Sequence, residues 1–340
     1  MASSDTSSIS KIKFFFKLCI DDKYSTDKFA NILEKEYLGI INTEFNGETP
    51  LSIVAFSGRF PERLDLLIKF GANVNQRLDS TGYTALNIIC RWNLYSSALS
   101  LINNGADINI SDFEGTSPLM NATINGRYRI LSLLLEKKAA INNLDIKGFS
   151  AIDLACMFGM AECLNILIEN KVNTFISSSF GMTPIHYAAV NGRIDCINIL
   201  IKNGSVDINL LNNYNLTPLD VAIIYRKIDV VKFLLEQDAK CTFSIDDIIL
   251  KKEKILSIKE STSELKYNVS TKSTFCYNEC DKIDVKDLKI CNRCKIASYC
   301  CNDCQKNHWN KHKKVCLKIP DKKRELTNKE KQLIIFLEKS

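Results

Sequence analysis

The chain has 340 residues, 46% hydrophobic and 25% charged, a composition ordinary for soluble globular protein and long enough for two or three domains. No apolar run reaches about 18 residues, so no membrane-spanning helix is expected. The net charge of +6 is unevenly placed: residues 251–340 hold 22 Lys/Arg against 12 Asp/Glu, a basic tail that reads as a solvated surface and does not call for nucleic acid.

In chain order, residues 1–11 are polar and read as a disordered start. The segment KIKFFFKLCIDD follows, its apolar run broken by Lys17 and lacking a small-residue cleavage site. It predicts a short packed helix rather than a signal peptide. Without secretion disulfides are disfavoured, and clustered cysteines read as metal ligands. The scattered Cys19, Cys90, Cys156, Cys163, Cys196 and Cys241 read as small buried apolar residues.

From residue 46 the chain repeats itself. NGETPLSIVAFSG, TGYTALNIICRWN, EGTSPLMNATING, KGFSAIDLACMFG, FGMTPIHYAAVNG and YNLTPLDVAIIYR align on Gly47, Gly82, Gly115, Gly148, Gly181 and Asn215, in steps of 35, 33, 33, 33 and 34 residues. Thr49-Pro50, Ser117-Pro118, Thr183-Pro184 and Thr217-Pro218 place a hydroxyl at a helix N-cap and proline at the first helical position. Small residues (Ala55, Ala122, Ala155, Ala188, Ala222) suit close stacking of the first helices, and leucine/isoleucine runs such as Leu133-Leu134-Leu135 suit the second. Gly71, Gly105 and Gly204 suit left-handed C-caps.

This pattern resembles the ankyrin repeat. The resemblance implies a mainly α solenoid, with six repeats over 46–241, an N-terminal cap or degenerate repeat over 12–45 and a closing helix over 242–260. It also implies that His186, in the T-P-x-H position, makes a structural hydrogen bond. Residues 261–275 read as a linker rich in Ser, Thr and Lys.

Eight of the 14 cysteines and two of the three histidines fall between Cys276 and Cys316. They pair as Cys276-x3-Cys280, Cys291-x2-Cys294, Cys300-x3-Cys304 and His312-x3-Cys316, eight ligands for two tetrahedral sites. Soft thiolate with borderline imidazole selects zinc over calcium or magnesium. Cys301 and His308 stand close enough in sequence to substitute as ligands. Both sites would be closed by four protein ligands, so zinc is expected to be structural rather than catalytic. No carboxylate pair, Ser/His/Asp set or phosphate-cradling loop stands out elsewhere, so the chain does not read as an enzyme.

The signature Y-C-x3-C-Q-x3-W-x2-H-x3-C, from Tyr299 to Cys316, resembles the MYND zinc finger over residues 276–316. The resemblance implies interleaved sites: Cys276, Cys280, Cys300 and Cys304 around one zinc, and Cys291, Cys294, His312 and Cys316 around the other. The first pair departs from the usual C-x2-C. The resemblance further implies capture of a proline-containing peptide of the PxLxP kind, with Gln305, Trp309 and Asn292 lining the groove. Residues 317–340 hold a C-terminal helix from about Asn328, with no sign of whether it packs on the finger or on the repeats.

The resulting expectation is a non-enzymatic adaptor in the cytoplasm, with one protein on the ankyrin face and a proline-containing peptide on the finger, and no small-molecule substrate. The basic run from Lys311 to Arg324 reads either as solvated helix ends or as a nuclear address. Two alternatives are a RING-like ubiquitin-ligase module, against which the single histidine in seventh ligand place argues, and nucleic-acid binding through the basic C-terminal region.

Overall fold

The structure, a computed structural model, describes residues 3–175, 181–204, 206–242, 289–290, 298–299 and 326–339. The fold is mainly α, and it forms two compact units: residues 1–154 with 166–172, and residues 155–165 with 173–340.

The first unit opens on α1 (Ser3–Ile20) and α2 (Thr26–Ile32), followed by a π turn over Leu33–Tyr37 and a 3₁₀ turn over Leu38–Ile40. The helix therefore begins at Ser3, where a disordered stretch to residue 11 and a cap from residue 12 were expected. Its C-terminal turns supply the reason. Phe15, Phe16, Leu18 and Cys19 are buried there, and once a helix is anchored, each further turn propagates at little cost. Phe15 stacks on Tyr37 with ring centroids 4.8 Å apart.

Helix pairs follow: α3 (Pro50–Ser57) with α4 (Pro61–Lys69), α5 (Ala85–Trp92) with α6 (Tyr95–Asn103), and α7 (Pro118–Ile124) with α8 (Tyr128–Glu136). Each first helix starts on a hydroxyl: Thr49 Oγ1 accepts from Ser52 N at 3.0 Å, Thr84 Oγ1 from Asn87 N at 3.3 Å and Ser117 Oγ from Met120 N at 3.2 Å. Such a cap satisfies an orphan amide and contributes about 1 kcal/mol. Ala55 and Ala122 are buried, as close helix stacking requires.

The helices α9 (Ala151–Phe158) and α10 (Ala161–Glu169) contribute to both units. The second unit contains α11 (Pro184–Asn191) with α12 (Ile194–Lys202), then α13 (Pro218–Ile224) with α14 (Ile228–Glu236). It also contains the two-residue strands β1 (Lys289–Ile290) and β2 (Ser298–Tyr299), and finally α15 (Asn328–Lys339). The expected closing helix over 242–260 and the linker over 261–275 lie outside the described residues. The C-terminal helix packs along α14, which answers a question that the sequence left open. Among the described residues no helix is long and apolar enough to cross a membrane.

Candidate functional site

The fingers that join successive helix pairs are riveted by asparagine side chains. Asn42 Oδ1 accepts from Asn73 N at 2.7 Å while its Nδ2 donates to Gly71 O at 3.1 Å. Asn75 repeats the arrangement with Asp107 N at 2.7 Å and Gly105 O at 3.0 Å, and Asn109 Oδ1 accepts from Ala140 N at 2.9 Å. In the second unit Asn209 Oδ1 accepts from Lys240 N at 2.7 Å. Each bond crosses from one repeat to the next, so the register of the fingers is fixed by side chains as well as by helix packing.

The finger tips are built on aspartates. Asp112 Oδ1 accepts from Glu114 N at 2.9 Å and Thr116 N at 2.8 Å, and Asp145 Oδ1 accepts from Lys147 N at 2.9 Å and Phe149 N at 2.8 Å. Burial raises both carboxyl pKa values above the ordinary range, and the backbone amides pull them part of the way back. Successive tips are laced by main chain: Phe113 N donates to Thr81 O at 3.1 Å and Ile146 N to Glu114 O at 3.0 Å. The close approach demands glycine in the preceding tip. At Gly115, with φ +78°, a Cβ would lie 2.9 Å from Ile146 N.

These laced tips hold apolar side chains in water. Phe113 is 56% exposed and Ile146 70% exposed, in corresponding places just after the turn aspartate. Leu144 is exposed beside them, and the Arg77 guanidinium lies 5.0 Å over the Phe113 ring. Trp92 and Phe56, near the ends of α5 and α3, are exposed as well. In the second unit Phe175, Leu211 and Tyr214 are exposed on the fingers. Sequence reasoning named none of these. The available signal was an apolar residue directly after the turn aspartate, where the last repeat has Asn213 after Asn212.

Inside the repeats, the third position of the first helix reaches back to its cap in α3, α5, α9, α11 and α13, while α7 has Met120 there. His186 is fully buried, with Nδ1 2.9 Å from Thr183 Oγ1 and Nε2 3.1 Å from Leu216 O. Burial lowers its pKa to about 4, so the imidazole is neutral and its role is a hydrogen-bonded strut between two repeats, as expected. Asp153 holds the same place in α9. Its Oδ2 accepts from Ser150 N at 3.0 Å and Ser150 Oγ at 2.5 Å, while its buried Oδ1 meets no donor. Burial pushes its pKa up to about 7. Asp220 in α13 is better served: Thr242 N donates to Oδ1 at 3.0 Å and Thr217 N to Oδ2 at 2.8 Å.

The candidate zinc ligands Cys276, Cys280, Cys300, Cys304, Cys291, Cys294, His312 and Cys316 lie outside the described residues, as do Gln305, Trp309 and Asn292. Within that stretch the structure describes one antiparallel ladder, pairing Lys289 with Tyr299 and Ile290 with Ser298. β1 runs directly into Cys291 and β2 directly into Cys300. The donor set itself, seven thiolates and one imidazole in four close pairs, fits zinc. Among the described residues no group of three or more His, Cys, Asp or Glu side chains is placed to hold a metal ion.

Two family models match the sequence. The MYND finger model matches residues 273–316, which implies zinc binding there. The ankyrin repeats model matches in three copies, over residues 17–112, 110–176 and 154–245. Together these domains give the chain a protein-interaction architecture. With helix pairs, laced fingers and family match covering most of its length, the chain belongs to the ankyrin-repeat proteins and carries a MYND finger toward its C-terminus.

Proposed function

We propose that the protein is a non-enzymatic adaptor that holds one protein partner on its ankyrin fingers and a proline-containing peptide of another on its MYND finger. The observation that carries the first half is the pair Phe113 and Ile146, apolar, exposed and fixed by main-chain hydrogen bonds on successive tips. An apolar side chain on a rigid tip loses little entropy on binding, and burying one contributes about 1.5–3 kcal/mol. The second half rests on the finger match and on Trp309 and Gln305 in the signature. An extended proline-rich ligand suits an aromatic wall because it is already stiff before it binds.

Zinc would be structural in this reading. Two ions would be held by the interleaved sets Cys276, Cys280, Cys300, Cys304 and Cys291, Cys294, His312, Cys316, the pairing that the resemblance to the MYND finger implies. Closed four-ligand sites supply folding energy and leave no position for a reacting water.

The test uses the full chain. Phe113→Asp with Ile146→Asp charges exposed positions only and should abolish capture of the ankyrin-bound partner while leaving PxLxP peptide affinity unchanged. Trp309→Ala should do the reverse, at least tenfold in peptide Kd by fluorescence anisotropy, with zinc content intact. A wild-type chain that binds no PxLxP peptide, or a Trp309→Ala chain that binds it equally well, ends the peptide half. A captured set identical between wild type and the finger-tip variant ends the other.

A further inference from the structure

A terminal repeat has no successor to cover its outer flank, so repeat arrays need caps. In this chain α14 is the second helix of the last repeat, and among the described residues α15, from far along the sequence, packs along it together with the helices of the repeats. Leu333, Ile334 and Leu337 of α15 are buried at 0, 8 and 4% exposure. Spaced at i, i+1 and i+4, they form one apolar stripe on the helix. Lys232 Nζ on α14 meets Glu338 Oε1 at 2.7 Å, and Arg226 Nη2, between α13 and α14, donates to the carbonyl of Leu337 at 3.5 Å. The arginine thus serves a carbonyl in the last turn of α15, where a helix presents unpaired acceptors and partial negative charge.

The helix also carries its own start signal. Thr327 N donates to Glu330 Oε2 at 2.7 Å and Glu330 N to Thr327 Oγ1 at 3.4 Å, a reciprocal capping box. Nothing N-terminal to Thr327 is required to begin it.

We propose that α15 is a detachable C-terminal cap of the repeats, docked on α14 within one chain. Detachability follows from the kind of contact that the described residues make. The ion pair is 37% and 48% exposed, so salt screens it, the Arg226 hydrogen bond is long at 3.5 Å, and the apolar stripe is only three side chains, Leu333, Ile334 and Leu337. The N-terminal cap is held differently. There the fully buried Arg63 donates to four carbonyls, those of Leu18, Cys19, Asp21 and Tyr24, at 2.5–3.0 Å. One end of the array is locked and the other is latched. A ligand that prefers the undocked form of α15 would release the cap, and by reciprocity a firmer cap would weaken that ligand.

Hydrogen exchange on the full chain tests this. Leu333→Asp with Leu337→Asp should speed exchange of the Val230–Leu235 amides at least tenfold and leave the α5 amides within twofold of wild type. Glu338→Lys should give a weaker effect of the same kind, and pairing it with Lys232→Glu should restore protection. Unchanged exchange in α14 on removing both leucines overturns the cap, and a failure of the charge swap to restore protection overturns the docking geometry. Equal loss of protection in α5 overturns detachability. A stable dimer of the wild-type chain that separates on loss of the leucines overturns docking within one chain.

Discussion

The buried carboxyl of Asp153 is only half served, with one oxygen accepting from Ser150 and the other meeting no donor. Folded, it keeps its proton up to about pH 7; unfolded, it releases it near 3.8. Between those values the folded chain binds the extra proton, so this group's contribution to stability is present below about pH 4 and is lost as pH rises toward 7. Asp153→Asn should therefore match wild type near pH 4 and exceed it at pH 8, by about 1–3 kcal/mol, the usual cost of an unserved buried group. Asn87 shows that asparagine fits the same helical position, with Oδ1 accepting from Thr84 N at 2.9 Å and Nδ2 donating to Ile110 O at 3.2 Å. Urea unfolding at the two pH values checks it; a difference that does not grow with pH refutes it. His186 slopes the other way. Its lowered pKa makes its contribution present above 6.5 and lost as pH falls toward about 4, so variant must be compared with wild type at each pH. Arg63 is the opposite case to Asp153, a buried charge nearly saturated by carbonyls and stacked 4.0 Å from the Phe60 centroid. Arg63→Met would strand those carbonyls and should cost about 3 kcal/mol or more, with α1 losing exchange protection first. Lysine should not rescue it, because a point ammonium cannot fork to four acceptors.

At the scale of elements, spacing made the repeats legible. Glycine or asparagine every 33 to 35 residues, a capping hydroxyl and a small residue in the first helix are local signals, and each describes one turn of chain. What stayed illegible was non-local. The pattern of α15 shows an apolar stripe, but nothing in Leu333 or Leu337 names α14 as its cover, and the ion pair that marks the docking joins residues 106 positions apart. The Arg63 fan was equally hidden, since an arginine in an amphipathic helix reads as a solvated charge until the carbonyls of α1 are placed around it. The left-handed glycines fall between these cases, and a pair of substitutions, one at a helix end and one in a finger tip, separates their two burdens. At Gly71, φ is +96° with open space around the missing Cβ, so Gly71→Ala should cost only the left-handed penalty of about 1–2 kcal/mol. At Gly115 the same penalty is joined by backbone of the next finger at 2.9 Å. Gly115→Ala should therefore destabilise clearly more in urea unfolding and should also shift the Ile146 tip. Equal losses at the two glycines would mean that the laced tips are not the constraint.

Across the whole molecule, the two recognition modules draw their stability from different sources. The repeats bury leucine, isoleucine and alanine between neighbours, while the finger is too short for a sizeable apolar core and would depend on metal, roughly 10–16 kcal/mol per structural zinc site. Chelation should accordingly abolish peptide binding and leave the unfolding transition of the first unit unmoved, because the proposed ligands all lie between Cys276 and Cys316. The pairing of ligands can be read from stoichiometry alone. If the sites interleave, Cys291 and His312 serve the same ion, and Cys291→Ser with His312→Ala should leave one zinc per chain. Cys276→Ser with Cys291→Ser should then leave none. If adjacent pairs shared an ion instead, those two results would exchange. Zinc release measured on the full chain distinguishes the outcomes without any assay of function. It also weighs the odd residues Cys301 and His308: a single Cys300→Ser chain that still holds two ions would place Cys301 or His308 in the first site, whereas one that holds a single ion keeps the assigned ligand set.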